Sequence, residues 1–340
     1  MNIFGKNPSG EHKKQVVASE HYANGSFKNV SETVMMSKDF TVAAMLKEYM
    51  NISKGRVPQK PLVSVKSPLI HRTDSKPSLI WFGHSSYFMS IEGQSVLVDP
   101  VLSGHASPFS FMVKAFPGSD IYKPTDFGVI DLLVLTHDHY DHLDYKTLFA
   151  LKDKVKHVVC SLGVASHLIF WGYDRAIITE LDWWQSTNVG SLKITATPAR
   201  HFSGRLFKRA QTLWSSFVLQ SSTNTIYIGG DSGYDSHFKE IADRFGSFDL
   251  ALLECGQYNS KWPLIHMTPE ESVQAGIDLQ AKVIMPVHFG KFALAFHDWN
   301  EPVKRFVTRC KALNIAYTTP MIGDMILADG KHRMHEAWYE

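Results

Sequence analysis

From residue 78 onward the apolar residues gather in short runs separated by turn residues and polar stretches. Ser78–Phe82, Tyr87–Ile91 and Ser95–Val98 are consecutive runs of this kind, with Glu92-Gly93-Gln94 as the turn between the last two. Short runs rich in β-branched and aromatic residues, bounded by turn signals, predict strands. The pattern recurs at Leu132–Leu135, His157–Cys160, Ala176–Ile178, Leu192–Ala196, Ser216–Leu219, Thr225–Ile228 and Val283–Val287. Between these runs the spacing becomes helical. Asp144 can cap a helix reaching about Lys152, with Leu148 and Leu151 inward. Phe238, Ile241 and Phe245 share a face of a helix opened near Asp235 and stopped by Gly246. Thr268-Pro269-Glu270-Glu271 is a capping box with proline at the first helical position. The last helix carries Val303, Phe306, Val307, Cys310 and Leu313 on one side. Early strands followed by strand–helix units predict an α/β fold, with sheets covered by helices.

Residues 1 to about 70 have a different texture: polar, with few strand signals and one amphipathic piece from Phe40 to Met50. This region reads as an N-terminal arm packed on the core, with residues 71–340 forming the main domain. At 340 residues the chain can bury a large core, and 44% hydrophobic with 20% charged residues is ordinary for a globular protein. A net charge of +2 gives no broad basic surface that would call for nucleic acid. The three cysteines, Cys160, Cys255 and Cys310, are far apart and form no C-x-x-C pair, so neither a disulfide framework nor a thiolate zinc site is expected. No apolar run approaches the ~18 residues of a membrane span, and the first residues lack a signal-peptide core. The expected location is cytoplasmic.

The candidate chemistry lies in Thr136-His137-Asp138-His139-Tyr140-Asp141-His142, which directly follows the apolar run Leu132–Leu135. Ligands in open α/β sheets bind at such carboxyl ends of strands. Imidazole and carboxylate are the donors a borderline divalent cation such as zinc accepts. The spacing lets His137 and His139 converge on one ion while Asp141 and His142, around the next bend, face a second. Two metals about 3.5–4 Å apart clamp a hydroxide and a substrate oxygen together. A histidine-rich surface loop is the bland alternative, and the buried strand before the motif argues against it. Three more donors each follow a strand-like run: His201 after Leu192–Ala196, Asp231 after Thr225–Gly230 and His288 after Val283–Val287.

With these motifs in this order, the chain from about residue 78 to 326 resembles the metallo-β-lactamase superfamily. The resemblance implies an αββα sandwich, two mixed sheets between outer helices. It also implies that His137, His139 and His201 hold one zinc, that Asp141, His142 and His288 hold the second, and that Asp231 bridges both. Iron or manganese suits the same donors. Further motifs resemble the N-acyl-phosphatidylethanolamine-hydrolysing phospholipase D family. They are Trp81-Phe82-Gly83-His84-Ser85-Ser86, Asp99-Pro100, Ala106-Ser107-Pro108-Phe109, His139–Tyr145, Glu180-Leu181-Asp182-Trp183-Trp184, Gly230-Asp231-Ser232-Gly233-Tyr234, Arg244–Leu250 and His288-Phe289-Gly290-Lys291-Phe292. Two positions depart from that family's pattern: Ile265 stands in place of a glutamine, and Gly204-Arg205 in place of a Lys-Arg pair.

The activity this implies is hydrolysis of a phospholipid phosphodiester by a hydroxide shared between two zinc ions. Asp141 and Asp231 would help orient the nucleophile, and His266 would donate a proton or contact the phosphate. Asp99 and Asp144 are candidates to orient ligand histidines, although a turn role for Asp99 and a helix cap for Asp144 fit equally well. His84 reads as a structural histidine. Arg205, Tyr258, Trp262, Phe109 and Phe111 are candidate substrate contacts. The apolar stretch Ser107–Pro117 would be a lip receiving acyl chains. This reading leaves room for peripheral membrane contact and for a homodimer. The competing readings are a zinc hydrolase of a small soluble ester, such as a phosphorylated sugar lactone or a cyclic nucleotide, and a metal-binding protein without hydrolysis.

Overall fold

A computed structural model describes residues 2–37, 41, 47–70, 76–205, 208–331, 335 and 337–340. Most of the amphipathic piece expected over Phe40 to Met50 lies outside the described residues; 47–50 are helical.

The chain begins with a short helix, α1 (Gly10–Val17), and a two-residue hairpin, β1 (Tyr22–Ala23) and β2 (Ser26–Phe27). The first large sheet then forms from β3 (Ser78–Trp81), β4 (Tyr87–Ile91), β5 (Gln94–Val98), β6 (Ile130–Leu135), β7 (Val155–Ser161) and β8 (Ile178–Leu181). The second is built from β9 (Ser186–Val189), β10 (Leu192–Thr197), β11 (Ser216–Gln220), β12 (Thr225–Ile228), β13 (Leu250–Glu254) and β14 (Ile284–Val287). A last strand, β15 (Met325–Leu327), returns to the first sheet beside β3. The helices are α2 (Tyr145–Leu151), α3 (Ala165–Phe170), α4 (His237–Phe245), α5 (Pro269–Asp278) and α6 (Glu301–Leu313). The strand orders are β15-β3-β4-β5-β6-β7-β8 and β14-β13-β12-β11-β10-β9.

Alternation along the strands sorts the core. Leu79, Trp81, Tyr87, Met89, Val96, Val98, Leu132 and Val134 pack with Ile194, Ala196, Phe217, Leu219, Ile226 and Ile228 of the second sheet. The intervening residues Ile80, Phe88, Leu97, Leu133 and Leu135 pack under α2 and α3, against Leu148, Leu151, Ala165 and Leu168. Period-2 side chains thus fill both faces of one sheet. Phe238, Ile241, Val273, Val303 and Phe306 of α4, α5 and α6 join the second sheet's side of the core. The result is the expected αββα sandwich.

Several local expectations shift. The β4–β5 turn is Glu92-Gly93 alone, both at positive φ (49° and 75°), and Gln94 pairs with Ile91. Both central residues at positive φ match a tight two-residue hairpin turn. Residues 175–177 form a 3-10 turn, and the strand starts at Ile178. The capping box of α5 and the Asp144 cap of α2 form as expected. The strand β13 was not expected, because Leu-Ala-Leu-Leu-Glu carries no alternation and no β-branched residue.

What positions the site is strand direction. β3 and β5 are both antiparallel to β4, and β6 is parallel to β5, so β3, β5 and β6 run one way. By the same pairing logic β10, β12, β13 and β14 run one way in the second sheet. β7 and β8 also run parallel to β6, so the carboxyl ends of nine strands open onto one rim, and the segments leaving them can converge.

Candidate metal centre

Three nitrogen atoms meet at one point of this rim. His137 Nε2 lies 2.9 Å from His139 Nδ1, and His201 Nε2 lies 3.2 Å from the same atom. Asp231 Oδ2 is 3.7 Å from both His137 Nε2 and His201 Nε2. The other carboxylate oxygen, Asp231 Oδ1, is 3.1 Å from His142 Nε2 and 3.1 Å from His288 Nδ1. Asp141 Oδ2 is 3.7 Å from His142 Nε2. Two donor groups, His137–His139–His201–Asp231 and His84–Asp141–His142–His288, each face one oxygen of Asp231, and a third, Asp231–Glu254–His266–His288, overlaps them. All seven sequence-selected donors are brought together, from four separate loops.

The chemistry of these donors fits a cation. His142 Nε2, Asp231 Oδ1 and His288 Nε2 are buried and, apart from the 3.1 Å approaches of Asp231 Oδ1 to His142 Nε2 and His288 Nδ1, have no hydrogen-bond partner among the described residues. Orphaned polar atoms in a protein interior are costly, and three clustered in one place call for a shared ligand. Burial, reinforced by the neighbouring imidazoles, holds His137 and His201 well below the usual histidine pKa, and burial lowers His139 to about 4. Neutral imidazole is the form that binds metal. Burial raises Asp231 to about 6, opposed by His142. At His142 burial works in the other direction, but the Asp231 and Asp141 carboxylates prevail and hold it above the usual range.

Supporting contacts orient the donors. Asp99 accepts from the Thr136 amide (2.9 Å) and the Thr136 hydroxyl (2.6 Å), and pairs with His142 Nδ1 (2.8 Å). His201 Nδ1–H donates to the Ile265 carbonyl at 2.8 Å, which leaves Nε2 for the centre. Ser85 Oγ meets His288 Nδ1 at 2.9 Å. His84, Asp99 and His288 have positive φ (55°, 40° and 67°), which a non-glycine residue adopts at a cost of about 1–3 kcal/mol. Strain at three rim residues is consistent with geometry held for function.

The remaining candidates separate. Asp144 accepts from the Lys146 and Thr147 amides and the Thr147 hydroxyl. Its carboxylate is spent on capping α2 and orients no ligand histidine. His84, read from sequence as merely structural, is fully buried with Nε2 2.9 Å from Asp141 Oδ2. It belongs to the centre, either orienting Asp141 or adding a donor. Arg205 points away from the rim: its guanidinium donates to the carbonyls of Asp138, Leu143 and Ile3, and lies over the Tyr140 ring. Those bonds leave it no reach towards a substrate. Tyr258 donates to Glu301 and stacks on His297, and Trp262 Nε1 donates to the Gln257 carbonyl, so both are tied into a neighbouring loop network. Phe109 and Phe111 stack on each other (5.8 Å) and stay exposed, 46% and 72%.

His266 stands beside the donors, its ring 4.9 Å from that of His201 and 5.2 Å from that of His288. Its Nδ1 meets Glu254 Oε2 at 2.7 Å, while Glu254 Oε1 accepts from the Ser232 and Met267 amides. Sequence reading missed Glu254. It is the last residue of the unexpected strand β13, and a charged residue closing a wholly apolar run was the available signal.

Residues 94–289 match the family model described as the Beta-lactamase superfamily domain. The chain is 37% identical to an uncharacterised Mycobacterium tuberculosis protein, over 94% of this chain and 87% of that one. It is 33% identical to the mitochondrial N-acyl-phosphatidylethanolamine-hydrolyzing phospholipase D of Saccharomyces cerevisiae, over 66% of this chain and half of that one. Among solved structures, a metallo hydrolase from Ignicoccus hospitalis superposes with a TM-score of 0.57 at 20% identity, covering 74% of this chain and 98% of that one. The matched span contains the heptad Thr136–His142, His201, Asp231, His266 and His288, so the chain belongs to the β-lactamase superfamily of metal-dependent hydrolases.

Proposed function

We propose that this hydrolase is a dinuclear zinc phosphodiesterase of phospholipase D type, acting on an N-acyl-phosphatidylethanolamine or a related phospholipid. The observation that carries the proposal is Asp231, whose two oxygens each face a separate buried donor group. Zinc ions held there would lower the pKa of nearby water and neutralise charge developing on phosphoryl oxygens. His137, His139 and His201 would hold one ion, Asp141, His142 and His288 the other, with Asp231 common to both.

The chain's own residues then supply orientation and proton handling. Asp141 and Asp231, whose oxygens lie among the donor histidines, would orient an attacking water. Glu254 fixes the His266 ring through Nδ1, leaving Nε2 to meet the leaving oxygen. A positioned histidine of this kind contributes about 10²–10⁴-fold to a proton-transfer step. The lipid half of the proposal draws on the phospholipase D relatives and on the 107–117 loop. Within that loop Val113 and Ala115 pack against a cluster of Val101, Ala106 and Phe292, and the Phe292 ring meets His84 edge-on at 5.3 Å. Phe111, Met112 and Lys114 line an open cleft of about 670 Å³ with Tyr49, Arg56 and Ala293. Acyl chains entering along this loop, with peripheral membrane contact, complete the reading. No helix among the described residues is long and apolar enough to cross a membrane.

The test combines elemental analysis with product analysis. Protein purified without added metal should carry about two zinc ions per chain and convert N-acyl-phosphatidylethanolamine to phosphatidic acid and N-acylethanolamine. Iron in place of zinc would remove the zinc assignment. Turnover of a cyclic nucleotide or a phosphorylated lactone, with none of the lipid, would move the function to soluble esters.

A further inference from the structure

The described residues of the His201 loop between β10 and β11 form no helix or strand, yet the loop carries a donor of the centre. Fixing the ring through Ile265 does not fix the backbone, whose amide and carbonyl need partners of their own. Both come from one side chain in the N-terminal arm. Asn29 Oδ1 accepts from the His201 amide at 3.0 Å, and Asn29 Nδ2 donates to the His201 carbonyl at 2.9 Å. Asn29 Oδ1 also accepts from Trp214 Nε1 at 3.0 Å, which holds the amide in place. The preceding residue is gripped as well: Arg200 donates to the Thr33 hydroxyl (3.0 Å) and the Glu32 carbonyl (2.9 Å). Val16 and Phe27 anchor the arm itself in an apolar cluster with Trp183, Ala199, Leu213 and Trp214.

A second grip reaches the heptad. Arg205 donates to the carbonyls of Asp138 (2.9 Å) and Leu143 (2.6 Å) from one side and to that of Ile3 (2.8 Å) from the other. The Lys6 amide donates to His167 Nδ1 at 3.0 Å, so His167 must carry its proton on Nε2, where it reaches Asp138 Oδ2 at 3.2 Å. Asp138 lies between the donors His137 and His139, and its other oxygen accepts from the Gly204 amide at 2.6 Å. Gly5, at φ 70°, passes so close that a Cβ there would lie 2.2 Å from His167 Nδ1. An arm that only covered apolar surface would have no need to pair with the polar groups of two donor loops.

We propose that the N-terminal arm is a clamp on the metal centre, with Asn29 a positioning residue for His201 and residues 3–6 a brace for the His137–His139 turn. The proposal rests on His201 being a metal ligand. Groups that orient a ligand from outside typically change metal affinity by about 10–100-fold when removed.

The test uses the full-length zinc-loaded protein in four variants: Asn29→Leu, Gly5→Val, His201→Ala, and Val30→Ala, an exposed position on the same arm, as control. Zinc release to excess chelator is followed with a chromophoric indicator, and the melting temperature of each metal-free protein is measured separately. Asn29→Leu should release zinc at least about tenfold faster than wild type, by more than the lowering of its metal-free melting temperature relative to Val30→Ala accounts for. Gly5→Val should move release in the same direction. Wild-type release rates in both variants would overturn the clamp. So would faster release accompanied by an equally lowered metal-free melting temperature, since that marks a merely structural role. If His201→Ala itself holds zinc like wild type, the ligand assignment fails, which is a separate result.

Discussion

At the scale of single residues, the centre depends on side chains whose role is to aim others. Asp99 takes three donors at once, two from Thr136 and one from His142, and it sits at the end of β5 in a left-handed conformation. Asp99→Ala should weaken metal binding by about 10–100-fold without removing any proposed ligand, as measured by competition against a chelator of known affinity. Unchanged affinity would leave Asp99 as a turn residue only. Glu254 aims His266 in the same way, beside the donor groups. His266→Ala should lower kcat by about 10²–10⁴-fold while two metal ions remain bound, and Glu254→Gln should lower it less. Loss of metal in either variant would argue instead that the pair belongs to the ligand set. Much of this scale was legible in the sequence: the seven donors each follow a strand-like run. Glu254 was not, because a buried carboxylate declares itself only through the partners that surround it.

At the scale of elements, α2 shows how a residue beside a metal motif can serve the helix alone. Asp144 follows the heptad by two positions, yet its oxygens face the Lys146 and Thr147 amides. Asp144→Ala should cost about 1 kcal/mol of stability through the lost cap, read as a lowered Tm, with zinc content and kcat unchanged. A fall in metal content at constant fold would restore an orienting role. The sequence pattern predicts strands where alternation or β-branching marks the run, as in β4 and β12, and misses β9 and β15 as well as β13. That strand is buried on both faces and paired in parallel on both edges, so its residues lost the alternation that a half-exposed strand shows. Missing β13 and missing Glu254 were one error.

The whole molecule adds a surface that no single element accounts for. Phe109 and Phe111 are stacked and exposed, with Phe4 of the arm edge-on to Phe109 at 6.4 Å. Exposed aromatics gathered on one loop are a candidate contact for a membrane. Changing Phe109 and Phe111 together to Ser should reduce sedimentation with phospholipid vesicles and turnover of vesicle substrate several-fold. Turnover of a short-chain soluble phosphodiester should stay the same. Equal activity on both substrates would remove the lip from the proposed function and leave the metal chemistry standing.

The sequence by itself determined the periodicities that make strands and helices, and the order in which metal-binding residue types follow strand ends. Both are local properties, written in neighbouring residues. The tertiary structure decided which of those residues point at a common centre, because convergence depends on strand direction across two sheets and not on distance along the chain. It turned Arg205 inward, drew His84 and Glu254 into the site, and laid Asn29 across the backbone of a residue 172 positions away. Such contacts are set by packing among distant segments, and no local pattern encodes them.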